Sequence, residues 1–297
     1  MLDFRIIDIS DKERICRCLE KSDFQGCEYS FANNMAWRRL SNSKIAFFKD
    51  FYISCAFDTD DNIPVFVFPS GEGNYYEVFE EMKKYAESLK KPLRISGVTE
   101  NGLEILNSIY PADSFAVEFD RDGSDYIYNS SDLINLSGRK YHQKRNHLSK
   151  INQYNWSFSE MTDADFDECI SFSAVNYNNK NGIDDFSSVA EQFAINTFFT
   201  NFHKLDLFGG VIRIDNNVRA FTIGERLNSN TMCVHIEKAD TSYQGLYPAI
   251  NNQFCKAFAD KFRYVNREED MGLEGLRKSK LSYNPAYLLR KNTITFK

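Results

Sequence analysis

The chain has 297 residues, 36 Lys and Arg against 42 Asp and Glu, and a formal net charge of -6. With 42% hydrophobic and 26% charged residues it is neither disordered nor collagen-like, and it is long enough for one large core or two ordinary ones. No apolar run reaches the roughly 18–20 residues that cross a bilayer and no leader pattern opens the chain; with its cysteines scattered and no CxxC pair, a cytoplasmic location is expected.

In chain order, FRIIDI (4–9) alternates as a strand does, and DKERICRCLEK (11–21) has helical spacing. CEYSFANNMAWRR (27–39) mixes aromatics with Trp37, Arg38 and Arg39. Such a run reads as a core helix with a charged rim or, less commonly, as a stacking surface for a ligand. KIAFFKDFYISCAF (44–57) is expected to form two strands about a turn at Lys49 and Asp50, and IPVFVFP (63–69) a third. A glycine-containing loop then feeds an amphipathic helix with Tyr76, Phe79, Met82, Ala86 and Leu89 toward the core. A strand in LRISGV, a short helix in ENGLEILNSI and a strand in FAVEFD follow.

Residues 137–150, SGRKYHQKRNHLSK, carry five Lys/Arg and no acid. If 139–151 is helical, Tyr141, Leu148 and Ile151 form an apolar stripe and the basic residues fill the other faces. Arg139, Lys140, Lys144 and Arg145 are then candidate contacts for the phosphates of a polyanion. The alternative is a connecting helix whose charges are solvated or paired with the acidic first half. Residues 1–136 hold 15 basic and 24 acidic side chains and residues 137–297 hold 21 and 18, so a domain boundary is expected at 136/137.

Beyond it, ADFDECISFSAVNY (164–177) and SSVAEQFAINTFFTNF (187–202) read as helices, and FGGVIRI (208–214) with RAFTIGERL (219–227) as a hairpin about DNN. TMCVHIEKA (231–239) is a strand, TSYQGLYPAINNQFCKAFADK (241–261) a glycine-bearing loop opening a helix, RYVNRE (263–268) a strand and GLEGLRKSKL (272–281) the last helix. Residues 63–106 and 231–276 thus repeat strand, glycine loop, long helix, strand and short helix in one order, which points to duplication.

That order is the order of the GNAT acyltransferase fold, and the sequence resembles the tandem GNAT proteins of the Fem type. CEYSFANNMAWRR, RKYHQKRNHLSK (139–150) and YVNREEDMGLEGLRKSKLSYNP (264–285) resemble the domain family related to the C-terminal catalytic part of phosphatidylglycerol lysyltransferases, over nearly the whole chain. The resemblance implies an α/β protein of two tandem GNAT-like units, each a mixed sheet flanked by helices, with 1–136 non-catalytic and 137–297 catalytic. It implies direct transfer of an acyl or aminoacyl group from aminoacyl-tRNA or acyl-CoA to an amine or hydroxyl. The acceptor would be a small molecule, a peptide or a lipid headgroup, and no cofactor would be covalently bound. The other reading of the same fold is a non-catalytic protein that binds an anionic or amino-acid-like ligand.

The candidate site residues fall in the second half. In the GNAT arrangement the loop Tyr243, Gln244, Gly245, Leu246, Tyr247 and Pro248 would hold the donor through backbone N–H groups and a helix N-terminus; a plain strand-to-helix connection would look the same. The first copy, PSGEGNYY, carries Glu72 and reads as structural. Strict alternation in TMCVHIEKA puts His235 and Glu237 on one face and Val234 and Ile236 on the other. Glu237 is the preferred general base and His235 the second candidate; otherwise Glu237 pairs with a neighbouring base and His235 is a satisfied core histidine. Asn266 ends a strand, where α/β sheets place ligand contacts. Glu268, Glu269 and Asp270 would recognise an aminoacyl ammonium or cap the following helix. By the resemblance, Tyr283 would protonate the leaving group. No His-xxx-His spacing or cysteine cluster argues for a metal, and none is expected.

Overall fold

A computed structural model describes residues 2–57, 59–180 and 186–297. Two compact units divide them. The first comprises residues 1–125, 269–272 and 289–297, and the second residues 126–268 and 273–288.

The first unit opens with helices α1 (Lys12–Ser22) and α2 (Phe31–Trp37) and the hairpin of β1 (Lys44–Phe48) and β2 (Phe51–Ala56). Phe48 pairs Phe51, so the expected turn at Lys49 and Asp50 is present, with Lys49 in the left-handed region. Next come β3 (Val65–Val67), the short β4 (Ser70–Gly71), α3 (Tyr75–Ser88), β5 (Arg94–Val98), α4 (Glu100–Ile109) and β6 (Phe115–Asn129), which ends in the second unit. β3 runs parallel to β5 and antiparallel to β2. FRIIDI does not form the expected strand: its only pairing among the described residues is a single bridge, Arg5 to Ile45. CEYSFANNMAWRR is the core helix with Phe31, Ala32, Met35 and Ala36 buried. On α3 it is Val78, Phe79, Met82 and Ala86 that are buried, whereas Tyr76 and Leu89 are exposed. Half-buried Tyr75 stands one turn before Phe79 and packs against it, so the apolar stripe starts one residue earlier than expected. The PSGEGNYY loop is pinned: Ser70 and Gly71 pair with β2, and a Cβ on Gly71 would sit 2.1 Å from the Asp50 carbonyl.

The second unit continues from the end of β6 with α5 (Ser130–Asn135), α6 (His142–Leu148), β7 (Trp156–Glu160), α7 (Phe166–Lys180), α8 (Phe186–Thr200), β8 (Phe208–Ile214), β9 (Asn217–Arg226), β10 (Thr231–Ala239), α9 (Leu246–Phe258), β11 (Tyr264–Asn266) and α10 (Glu274–Leu281). β12 (Tyr287–Phe296) closes the chain. β7, β8, β9 and β10 pair antiparallel in sequence, β10 is parallel to β11, and β11 is antiparallel to the end of β6. Asp215 and Asn216, both with positive φ, make the tight turn between β8 and β9 that suits a two-residue hairpin. α9 buries Leu246, Ala249, Ile250, Phe254 and Cys255, the apolar face that covers this sheet. The parallel pairs β3/β5 and β10/β11, each joined by a helix, bear out the order read from the duplicated segments.

The boundary differs from the one expected at 136/137. Residues 126–136 belong to the second unit, because the end of β6 pairs with β11, and 289–297 belong to the first, because Asn292 of β12 pairs with Val98 of β5. Pairing between residues 194 positions apart leaves no mark in composition or charge. Removing residues 289–297 is therefore expected to speed hydrogen exchange at the Ile53, Phe66 and Ile95 amides by roughly tenfold or more, about 1.4 kcal/mol, while amides of β8 and β9 keep their protection. Loss confined to β8 and β9 would contradict the assignment.

Candidate functional site

β10 and β11 pair only from Thr231 and Tyr264 to Cys233 and Asn266. β11 ends there and β10 continues, so the two parallel strands part. Two ion pairs cross the gap. The Glu237 carboxylate on β10 meets the Arg267 guanidinium at 2.9 Å, and His235 Nδ1 lies 2.8 Å from Glu268 Oε1.

The expected alternation fails at this point for a local reason. Val234 pairs with Gly224 and Ile236 with Ile223, leaving His235 as an extra residue in a bulge. Val234 and Ile236 consequently face opposite sides, and so do Glu237 and His235: Glu237 accepts from Asn251 Nδ2 of α9 at 3.0 Å, while His235 stacks on Phe198 of α8 with ring centroids 5.4 Å apart. The two residues do not form one polar face. Glu237 is not poised as a free base, since one of its oxygens is held by Arg267 and the other by Asn251.

Around Glu237 the structure gathers Tyr283, expected at the same site, Lys144, expected among the phosphate contacts, and Arg267. The Arg267 side chain is 10% exposed, and among the described residues its Nη1 makes no hydrogen bond of good geometry, although the guanidinium interacts with the Tyr283 hydroxyl. Its guanidinium carbon lies 4.8 Å from the centre of the Tyr283 ring and 5.8 Å from that of Tyr128. Lys144 also lies over the Tyr283 ring, its Nζ 3.6 Å from the ring centre. Burial pushes the Lys144 ammonium down to about 8; the Arg267 charge acts in the same direction and Glu237 opposes both. Burial pushes the Tyr283 hydroxyl up, against the pull of Arg267, so it stays protonated at neutral pH. Asn266 is fully buried at the end of β11, as expected, and its Oδ1 accepts from the Glu268 N–H at 2.7 Å, fixing the turn that carries Arg267.

The basic stretch is not one helix over 139–151. It is a 3-10 turn (Arg139–Tyr141), α6, and a second 3-10 turn (Ser149–Gln153), with Tyr141 and Ile151 buried as the apolar stripe required. The four candidate phosphate contacts diverge. Arg139 is exposed, Lys140 pairs with Asp132 at 3.2 Å, Arg145 donates to the Gly138 carbonyl at 2.8 Å, and Lys144 turns inward to Tyr283.

The loop 243–248, expected to hold the donor, is also engaged. Gly245 caps α9 with φ of 84°, and a Cβ there would stand 2.7 Å from the His147 carbonyl and 2.9 Å from the Ile151 nitrogen, so the loop is packed on the backbone of the basic stretch. Tyr243 N–H donates to Asp240 O, Gln244 N–H to the Tyr154 hydroxyl and Leu246 N–H to Tyr243 O. Leu246 and Pro248 are buried and Tyr247 is half-buried. These three N–H groups are spent within the fold, unlike those of an open anion cradle. The acidic triplet does not act together either. Glu268 is bound to His235; Glu269 and Asp270 belong to the first unit, where Glu269 accepts from the Cys27 thiol at 3.2 Å and Asp270 meets Arg121 at 3.1 Å.

Sequence reasoning missed Arg267. The available signal was a basic residue directly after the end of β11, opposite an acid on the strand parallel to it. The family model for the phosphatidylglycerol lysyltransferase C-terminal region matches residues 19–293. The chain belongs to that family. A solved protein of unknown function from Bacteroides thetaiotaomicron VPI-5482 is 33% identical and covers 100% of both chains with a TM-score of 0.91. L-PGS from Bacillus licheniformis, at 13% identity, covers 97% of this chain and 92% of its own, with a TM-score of 0.67, and shares the fold. An uncharacterized Mycoplasmoides gallisepticum protein is 22% identical over 212 residues, 65% of this chain and 66% of that protein, so the match spans just under two thirds of the curated relative. The fold is the tandem GNAT-like α/β arrangement expected from the element order, and family and fold together support a transferase. Among the described residues no helix is long and apolar enough to cross a membrane.

The inward Lys144 has a measurable signature. Between about pH 8 and 10 the unfolded chain keeps a proton that folded Lys144 has released, so this group makes stability rise with pH across that window. Competitive trace acetylation is expected to give Lys144 an apparent pKa near 8, and Lys144→Met to flatten the rise in denaturation midpoint. A Lys144 that labels like exposed lysines, which titrate near 10.4, would contradict its position.

Proposed function

We propose that the second unit transfers an aminoacyl group from aminoacyl-tRNA directly to an amine or hydroxyl acceptor: a small molecule, a peptide or a lipid headgroup. The observation that carries this reading is the buried guanidinium of Arg267, whose Nη1 makes no hydrogen bond of good geometry among the described residues, beside Lys144 and Tyr283 where β10 and β11 part. Two cations against the single carboxylate of Glu237 suit an anionic donor group held out of water, where each hydrogen bond to charge is strong. Family membership supplies the class of chemistry. The hydrogen-bonded donor loop favours aminoacyl-tRNA over acyl-CoA, whose pyrophosphate would call for free loop N–H groups.

In this reading Arg267 binds the donor and Glu237 and Asn266 aim it. The acceptor nitrogen or oxygen attacks the ester carbonyl; the new bond to the carbonyl carbon forms and the ester bond to the terminal ribose breaks. The acceptor's proton passes to the Lys144 amine, which is neutral in part near pH 8. Tyr283 donates its proton to the leaving ribose oxygen and recovers one from Lys144. Holding donor and acceptor together supplies much of the rate, as in direct transfers generally. A second reading, a non-catalytic binder of an anionic ligand, is favoured by the Glu237–Arg267 pair, which leaves no free carboxylate base in the resting site.

The test is transfer of labelled lysine or alanine from charged tRNA to free amines, peptides or phosphatidylglycerol vesicles. The rate is expected to rise with pH about a midpoint near 8, and Lys144→Met to lower it roughly 10²- to 10⁴-fold and remove that limb. Binding of charged tRNA without transfer would favour the second reading. Binding of CoA esters with no response to tRNA would contradict the aminoacyl-tRNA assignment.

A further inference from the structure

The second polar cluster at the parting strands does something different from the first. His235 is fully buried between two acids, Nε2 at 2.9 Å from Glu225 Oε1 and Nδ1 at 2.8 Å from Glu268 Oε1. The Cys233 thiol completes the group, with Sγ 3.7 Å from His235 Nδ1 and 3.8 Å from Glu268 Oε1. Cys233 comes from the paired end of β10, His235 from the bulge and Glu268 from the turn after β11. Cys233 and His235, two apart on β10, share a face with Glu225, which pairs directly with Cys233 on β9, and the bulge turns Glu237 to the other face.

We propose that Cys233 Sγ, His235 Nδ1 and Glu268 Oε1 bind a divalent transition-metal ion, with Zn²⁺ the best match, and that Glu225 holds the imidazole from behind. The three atoms lie within 4.8 Å of one another. With metal–ligand bonds of about 2.3 Å to sulfur and about 2.0–2.2 Å to nitrogen and oxygen, a tetrahedral ion sets sulfur roughly 3.5 Å and nitrogen–oxygen roughly 3.4 Å apart. The two sulfur distances already fit. Only the His235–Glu268 hydrogen bond has to open, by about half an ångström, as the ion takes the place of its proton. A thiolate, an imidazole and a carboxylate together favour zinc over the hard oxygen-seeking ions. The carboxylate on the far imidazole nitrogen is the partner that metal-bound histidines usually have, and it fixes Nδ1 as the ligating atom.

Metal binding takes Cys233 as the thiolate and His235 through an unprotonated Nδ1, so protons leave the buried cluster as the cation enters, which reduces the electrostatic cost of placing a dication in the protein interior. The comparable group in the first unit, Cys27, Glu28 and Asp125, has a different solution: the Lys291 ammonium stands 2.7 Å from both Glu28 and Asp125 and supplies the cation itself. An ion at Cys233 would tie β10 to the turn that carries Arg267, whatever donor that arginine binds.

The experiment strips the full-length protein with a chelator and titrates it with Co²⁺ as a spectroscopic probe, then displaces it with Zn²⁺. The expected result is one Co²⁺ per chain with near-ultraviolet thiolate-to-cobalt absorption, proton release on binding in weak buffer, and displacement by Zn²⁺. Cys233→Ser is expected to lose the thiolate band and Cys27→Ser to keep it. Glu225→Gln is expected to weaken binding about 10- to 100-fold. Should Cys233→Ser fail to fold by circular dichroism, Glu268→Gln and Glu225→Gln carry the decision through affinity alone. Absence of a thiolate band in the native chain, its survival in folded Cys233→Ser, its loss in folded Cys27→Ser, or unchanged affinity in both glutamate variants would overturn the proposal.

Discussion

Arg267 has to keep its charge while nine-tenths of its side chain is out of water, and Glu237 is what lets it do so. Burial alone would lower the guanidinium pKa; the carboxylate more than offsets this, and the net direction is upward. The pair cannot be moved far, because its two members come from neighbouring parallel strands after those strands have stopped pairing. Their attraction bridges a gap that backbone hydrogen bonds no longer span. Asn251 on α9, the Tyr128 and Tyr283 rings and the inward Lys144 are arranged around that bridge.

The same gap explains why the site lies where it does. Strands that remain paired satisfy their own N–H and C=O groups and leave nothing for a ligand, whereas strands that part expose polar chain ends that side chains or a ligand must satisfy. Here side chains have filled most of the opening, Glu237 with Arg267 on one face and His235 with Glu225 and Glu268 on the other. What is left around Glu237, among the described residues, is Arg267 Nη1 without a well-formed hydrogen bond, together with Asn251 Oδ1. Buried polar atoms without partners are rare in folded proteins, and two of them on side chains that both hold Glu237 mark the place where an incoming group gains most.

Much of this was legible in the sequence. The order of strands and helices, the duplicated parallel pair, the DNN hairpin, and the placement of Asn266 at a strand end followed from periodicity and turn chemistry. What could not be read were features that depend on partners distant in the chain. Alternation predicts His235 and Glu237 on one face, but a one-residue bulge, invisible to a period-two pattern, separates them. A basic run predicts solvated charge, but Lys144 is turned inward by its own helix position between buried Tyr141 and half-buried Leu148. The C-terminal strand joins the first unit through pairing with β5, which no local signal encodes. His235, with two carboxylates on its two nitrogens, is a satisfied core histidine, as the plainer reading of the strand allowed, yet its third neighbour, Cys233, is what distinguishes it from an ordinary one.

A double-mutant cycle on Glu237 and Arg267 measures the bridge directly, using Glu237→Gln, Arg267→Met and the pair, with unfolding free energies from denaturant titration. Each single substitution strands a buried charge or its unmet partner and is expected to cost about 3–5 kcal/mol, with the double variant recovering a large part of that loss. Single costs that simply add, leaving no coupling between the two positions, would contradict the view that this ion pair holds the parted strands and the site around them.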